Sequence, residues 1–262
     1  MGPSRPLSHL SVVAHSPSTN TALLAKAGSA PEEWPHLSAL VADHQTAGRG
    51  RAGRQWQTPA SAACTSSFVL RPTGISRDAF GWAPLVVGLA TVRALRTLGV
   101  GAMLKWPNDV VVEAGVRDIP QWGKWRKVVG ILCETIPGQD ALVAGIGINV
   151  SQSSAELPVP HAASLATLGA TKLDRVALLR VLTAELADAV GMWEGTDDRG
   201  AIPAEVAKVC ATIGWDVAID VPGGSPVNGR AVGLSPIGGL LVQTASGERR
   251  EILAGDVRVR RA

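Results

Sequence analysis

The stretch AMLKWPNDVVVEAGVRDIPQWGKWRKVVGILCETIPGQDALVAGIGINV, Ala102 to Val150, decides the fold class. Four apolar runs lie within it: Ala102–Trp106, Asp109–Glu113, Lys127–Ile136 and Asp140–Val150. The gaps between them are too short for crossover helices, so successive runs must pair antiparallel. The class this implies is α+β, with a mixed, mainly antiparallel sheet flanked by helices. The longest gap, Ala114 to Trp125, carries Gly115, Pro120 and Gly123 and reads as a long turn that sets Val111 and Val112 opposite Val128 and Val129. Strand alternation puts Lys127 on the face of Val129 and Ile131. An ammonium there is costly to bury alone, so it either snorkels to solvent or meets an anion.

Reading toward the N-terminus, Asp78–Leu98 has a helical stripe of Leu85, Leu89, Val92 and Leu95, with Gly99 placed to cap its end. Cys64–Pro72, Ser38–Gln45 and Leu10–His15 read as strands. Ser18, Thr19 and Asn20 are capping types ahead of a helix that carries Leu23, Leu24 and Ala27 on one face. Reading toward the C-terminus, polar Ser151–Ser164 is expected to be a flexible loop. Asp174 caps a helix with the stripe Leu178, Leu182, Leu186, Val190 and Trp193, and a shorter helix covers Ala204–Ala211. From Ile213 the texture changes to four short strands, WDVAIDV, NGRAVGLSP, GGLLVQTA and RREILAGDVRV, between glycine and proline turns. The expected organisation is a larger α+β unit over residues 1–208 and a small β-barrel over 209–262.

The 262-residue chain is 46% hydrophobic, ample for a core. It has no run of eighteen apolar residues, so no membrane span is expected. Cys64, Cys133 and Cys210 lack the spacing of a zinc site, and the five histidines form no close pair. Sparse thiols fit a reducing compartment, and a cytoplasmic protein is expected. A net charge of +3 would not hold nucleic acid against physiological salt.

Two stretches carry chemistry. In GRGRAGRQW, Gly48–Trp56, Arg49, Arg51 and Arg54 alternate with glycines, and no acidic residue occurs between Asp43 and Asp78. The loop could be a solvated connector, a nucleic-acid arm or an anion-binding loop. The third is preferred, because glycine N–H groups approach closely and guanidinium forks match phosphate or carboxylate. In KWPND, Lys105, Asn108 and Asp109 place a cation, an amide and a carboxylate at one strand end. GIGIN, Gly145–Asn149, lacks the full dinucleotide fingerprint, and its glycines would let a ligand lie against the strand. Cations converging from separate strand ends suit a reaction that must neutralise charge, such as joining a carboxylate to the α-phosphate of ATP.

STN (Ser18–Asn20), GRGRAGRQW, KWPND, KVVGILCE (Lys127–Glu134) and GIGIN occur in the order found in biotin protein ligases, and the chain resembles that family over nearly its whole length. The resemblance implies a class II synthetase-like fold with a C-terminal SH3-like barrel. It also implies biotin and MgATP as substrates, formation of biotinyl-5′-AMP, and transfer of biotin to a lysine of a biotin carboxyl carrier domain of acyl-CoA or pyruvate carboxylases. Ser18, Thr19, Asn20, Gln45, Arg49, Gly50, Arg51 and Lys127 would meet biotin. Arg49, Arg51, Arg54, Trp56, Lys105, Asn108, Lys127, Gly145 and Asn149 would meet the nucleotide. Arg51, Lys127 and Asp109 would be catalytic: Arg51 retains the adenylate, and Asp109 binds metal or helps deprotonate the acceptor lysine. The N-terminal winged helix of some members has no room before the first strand, so no operator binding is expected. A homodimer through a sheet edge is an open expectation. The rival readings are a lipoate or octanoate ligase or transferase, and a non-catalytic nucleic-acid-binding protein.

Overall fold

The computed structural model describes residues 7–114, 117–171, 173–195 and 201–260. Gly115 of the long turn lies outside the described residues. The chain begins with β1 (His9–Ser16), α1 (Thr19–Ser29) and β2 (Ser38–Gln45). A small ribbon, β3 (Gly48–Arg49) and β4 (Gln55–Trp56), precedes β5 (Ala63–Leu70). A 3-10 turn, Arg77–Trp82, then runs into α2 (Ala83–Thr97). Next come β6 (Ala102–Lys105), β7 (Asp109–Glu113), β8 (Trp125–Thr135) and β9 (Leu142–Asn149). Helices α3 (Arg175–Glu194) and α4 (Ala201–Val209) lead to β10 (Asp216–Asp220), β11 (Val227–Leu234), β12 (Leu240–Gln243), β13 (Arg249–Ile252) and β14 (Asp256–Val259).

The main sheet has seven strands in the order β1-β2-β5-β9-β8-β7-β6. The β1–β2 pair is parallel, and the other neighbours run antiparallel. Residue parity sorts its two faces. Phe68 and Leu70 of β5, Ala144, Ile146 and Ile148 of β9, and Val129 and Ile131 of β8 share one buried cluster with α2 and α3. The other face carries Thr65 and Ser67 on β5 and Gly145, Gly147 and Asn149 on β9. Helix α1 covers only one end of it, packing Leu23 and Ala27 against Leu40, Val69 and Val143. Beyond α1 that face is polar and glycine-rich, and the functional groups gather there.

Helix ends follow the expected chemistry. Asp174 accepts hydrogen bonds from the N–H groups of Val176 and Ala177 at 2.8 and 3.1 Å, and Gly99 takes φ +79°. The 3-10 turn and α2 together are apolar enough in composition to cross a membrane. Eleven of the fifteen α2 residues are buried within the protein, which makes it a core helix. Each large aliphatic side chain so buried contributes about 1.5–3 kcal/mol.

Two expectations need correction. The β7–β8 register shifts at a bulge: Val110 pairs with Val129, but Val111 pairs with Lys127 and Val112 with Arg126. The extra residue, Val128, breaks the alternation. Val128, Val129 and Ile131 all face the core, whereas the Lys127 Cε lies 3.5 Å from where a Gly130 Cβ would stand. Lys127 therefore stands on the open face with Gly130 and not beside Val129. The segment RREILAGDVRV forms two strands, β13 and β14, because the chain turns at 253–255.

The C-terminal strands make a five-stranded antiparallel sheet, β13-β12-β11-β10-β14. Its apolar residues Val217, Ile219, Val227 and Leu240 join the same buried cluster as α2 and the main sheet. Two indoles bolt it on: Trp82 Nε1 donates to Pro236 O at 2.8 Å, and Trp106 Nε1 to Gly238 O at 3.1 Å. The architecture changes between the end of α4 at Val209 and the start of β10 at Asp216, while the buried cluster continues across that change.

Candidate active site

The open face of the sheet forms the floor of a cavity of about 580 Å³. Its walls are α1, the β3–β4 ribbon, the turn between β6 and β7, the 151–164 segment and the start of β14. Every residue expected at the site from the sequence lines it: Ser18, Thr19, Asn20, Gln45, Arg49, Gly50, Arg51, Arg54, Trp56, Lys105, Asn108, Asp109, Lys127, Gly145 and Asn149.

At one end the start of α1 builds a polar shelf. Gln45 Oε1 accepts from both the N–H and the hydroxyl of Thr19, at 2.8 and 2.9 Å. Ser67 Oγ lies 2.8 Å from Thr19 Oγ1 and 2.7 Å from Asn20 Oδ1. Asn20 Nδ2 donates to Leu132 O at 2.9 Å and to Glu134 Oε2 at 3.1 Å, which fixes its amide. Gly145 is required beneath it, since a Cβ there would stand 2.2 Å from Asn20 Oδ1. The two β9 glycines thus make room for the protein's own side chains. Asn20 fills the space over Gly145, and the Trp56 indole lies over Gly147 and Gly130, where added Cβ atoms would meet it at 2.5 and 2.8 Å. The Trp56 Nε1 is buried with no hydrogen-bond partner among the described residues.

At the other end the cations meet. Asp109 Oδ1 lies 2.5 Å from Lys127 Nζ, and Asp109 Oδ2 lies 3.9 Å from Lys105 Nζ. Burial pushes the Asp109 carboxyl up, but Lys127 and Lys105 outweigh it and hold the group below the ordinary carboxylate range. Lys105 is 4% exposed, and burial lowers its ammonium despite Asp109. It sits 4.5 Å from the Trp122 ring centroid. Trp122 stacks on His161 at 4.0 Å and 8°. Burial and then Lys127 lower His161 to about 4, so the stacked imidazole is neutral at physiological pH. Trp125 packs on Trp215, with ring centroids 5.4 Å apart. The sequence left both tryptophans of the long turn without a role; Trp122 joins that turn to the 151–164 segment across the cavity mouth.

The three loop arginines each have a different partner. Arg49 forks onto Glu134 at 2.8 and 3.3 Å and also reaches Thr21. Arg54 contacts both oxygens of Asp256 at 2.5 and 2.6 Å. Arg51 donates to the neutral Asn108 Oδ1 at 2.9 Å. The loop looked unpaired in the sequence because its carboxylates come from β8 and β14, 85 and 202 residues away. Sequence reasoning missed Glu134 and Asp256, and also Ser67, Trp122 and His161, which contact the expected site residues. Glu134 stands in the quoted KVVGILCE, but nothing in its spacing points to Arg49.

Three expectations shift. Asn149 has its amide engaged on both sides: Nδ2 donates to Ala163 O at 3.0 Å, and Oδ1 accepts from Gln152 at 3.0 Å. The expected flexible segment is pinned at its ends by buried Gln152 and Ser164, with Ser164 Oγ donating to Gln152 O at 2.6 Å. Asp109, expected either to bind metal or to help deprotonate the acceptor lysine, already faces two ammonium groups, a field that repels a dication. No cluster of three His, Cys, Asp or Glu suited to a metal occurs among the described residues. The donor set does not fit a protein-held magnesium.

Residues 12–151 match the biotin/lipoate A/B protein ligase family, and residues 212–260 match the biotin protein ligase C-terminal domain. The chain is a biotin protein ligase by family. It is 35% identical over 252 residues to the biotin–[acetyl-CoA-carboxylase] ligase of Mycobacterium tuberculosis, covering 95% of this chain and 88% of that protein. The Paracoccus denitrificans enzyme of the same name is 37% identical over 147 residues, 53% of this chain and 54% of that one. A biotin protein ligase from Aquifex aeolicus in complex with biotin and ATP superposes with a TM-score of 0.76 at 30% identity, covering 98% of this chain and 100% of that chain. Like those biotin protein ligases, the chain is an enzyme with a mainly antiparallel α+β sheet followed by a C-terminal β-sheet unit.

Proposed function

We propose that the cavity activates biotin with ATP to biotinyl-5′-AMP and passes the biotinyl group to one lysine of a biotin carboxyl carrier domain of a carboxylase. The observation that carries this reading is the charge pattern of the site. Two of its arginines are paired with carboxylates, whereas Arg51 donates to the neutral Asn108, and Lys105 and Lys127 share the single carboxylate of Asp109. That surplus of positive charge suits two anions that must meet. A biotin carboxylate oxygen attacks the α-phosphorus of ATP, the bond from that phosphorus to the bridging oxygen breaks, and pyrophosphate leaves. Lys127 and Arg51 hold the carboxylate and α-phosphate together and offset their repulsion. In the second step the acceptor amine attacks the acyl carbon and AMP departs. Asp109 is a weak base because its carboxyl is held low; its part is to hold Lys105 and Lys127 in place. Magnesium belongs to the triphosphate it accompanies.

The polar shelf of Thr19, Asn20, Gln45 and Ser67 suits a cyclic urea, which carries one carbonyl and two N–H groups. Gly145→Ala forces Asn20 off its partners. The expected result is a biotin KM raised about tenfold or more with a far smaller change for ATP, measured by pyrophosphate exchange; equal changes in both would remove the shelf from biotin binding.

A transferase working through a cysteine thioester is disfavoured, because burial pushes the Cys64 and Cys133 thiols up to about 11 and about 12. A nucleic-acid arm is disfavoured by Glu134 and Asp256, which neutralise two of the loop's three cations. The deciding experiment is mass spectrometry of a carrier domain after incubation with the protein, MgATP and either biotin, lipoate or octanoate. A single biotinyl addition at one lysine is expected. Addition from lipoate or octanoate instead would overturn the reading.

A further inference from the structure

Of the three loop arginines, Arg54 alone reaches the C-terminal sheet. Its Nη2 stands 2.5 and 2.6 Å from the two oxygens of Asp256 at the start of β14. Arg54 is also where the ribbon closes on itself. Gly50 N–H donates to Arg54 O at 2.7 Å, and Arg54 N–H to Arg51 O at 3.1 Å. The turn between them puts Ala52 and Gly53 at φ +52° and +73°, so backbone preference alone does not hold it closed. Asp256, by contrast, sits on a fixed support. Strand β14 pairs with β10, and the sheet is fastened to the main body by the Trp82 and Trp106 indoles.

We propose that Asp256 is a positioning residue, a latch by which the C-terminal sheet holds the Gly48–Trp56 ribbon over the cavity through Arg54. The side chains of the pair are 56% and 50% exposed. An ion pair this exposed is weak and is screened by salt. It orders the ribbon before ligand arrives and still lets it open for entry and for the acceptor lysine. Arg51 lies inside the same closed turn, so the latch also fixes the arginine assigned above to the α-phosphate.

The test compares wild type, Asp256→Asn and the charge swap Arg54→Asp with Asp256→Arg. Hydrogen exchange of residues 48–56 in the ligand-free protein is expected to rise about fivefold in Asp256→Asn, to return toward wild type in the swap, and to rise in wild type at 1 M salt. Bystander lysine labelling with biotin and MgATP should rise in Asp256→Asn in parallel. Unchanged exchange in Asp256→Asn, or a swap that fails to restore it, overturns the latch. The labelling arm rests on the adenylate chemistry proposed above, whereas the exchange arm does not. If wild type makes no adenylate, that function fails and the latch is still judged by exchange.

Discussion

Lys127→Ala should lower ATP–pyrophosphate exchange driven by biotin by about 10²–10³-fold, the loss typical of removing one preorganised charge donor from a developing anion. The Lys127 side chain is only 22% exposed and its Nζ lies 2.5 Å from Asp109, so its charge acts where water screens it poorly. Lys127→Arg keeps the charge, but its planar fork cannot occupy the same point beside Asp109; an intermediate rate is expected. Thermal melting of both variants separates chemistry from folding. Exchange within threefold of wild type in a folded Lys127→Ala would remove this lysine from the reaction, and with it the charge argument for the site.

The same lysine marks the limit of what the sequence could tell. Short gaps between apolar runs were enough to derive antiparallel pairing of β6 through β9, because no helix fits in them. Alternation on β9 was equally legible: even positions face the core, while Gly145, Gly147 and Asn149 face the cavity. Alternation failed at Lys127, since a one-residue bulge leaves no mark in the sequence and still reverses the face of everything before it. The fourth C-terminal run divided at 253–255 for a related reason, as a short turn can interrupt a strand without a proline.

Site membership was legible because motifs at strand ends must converge when the strands are neighbours. Partnership was not. Glu134 and Asp256 reach Arg49 and Arg54 only through the fold, and Trp122 meets His161 across two segments that share no pattern. The glycines at 145 and 147 announced a close approach, but not that Asn20 and Trp56 make it. Local chemistry names the groups, and tertiary contacts decide which charges remain available to a ligand.

Asp109 follows from that principle. Asp109→Asn keeps the shape of the side chain and removes the counter-charge of two ammonium groups, one of them Lys105 at 4% exposure. Breaking a buried pair from one side costs about 3 kcal/mol, because the charges left behind stay desolvated. For a chain of this size that corresponds to a fall in Tm of about 5–10 °C at pH 7. Lys105→Met in the same protein should restore part of the loss by removing the deeper stranded charge. The pH dependence has a definite sign. The folded-state carboxyl is held below its ordinary value, so its contribution is full above the ordinary value and is lost as pH falls from there through the lowered folded-state value. The Tm gap between wild type and Asp109→Asn should therefore narrow on acidification below about pH 4. A gap that is absent at pH 7, or that stays constant into acid, would mean that Asp109 does not hold the two lysines.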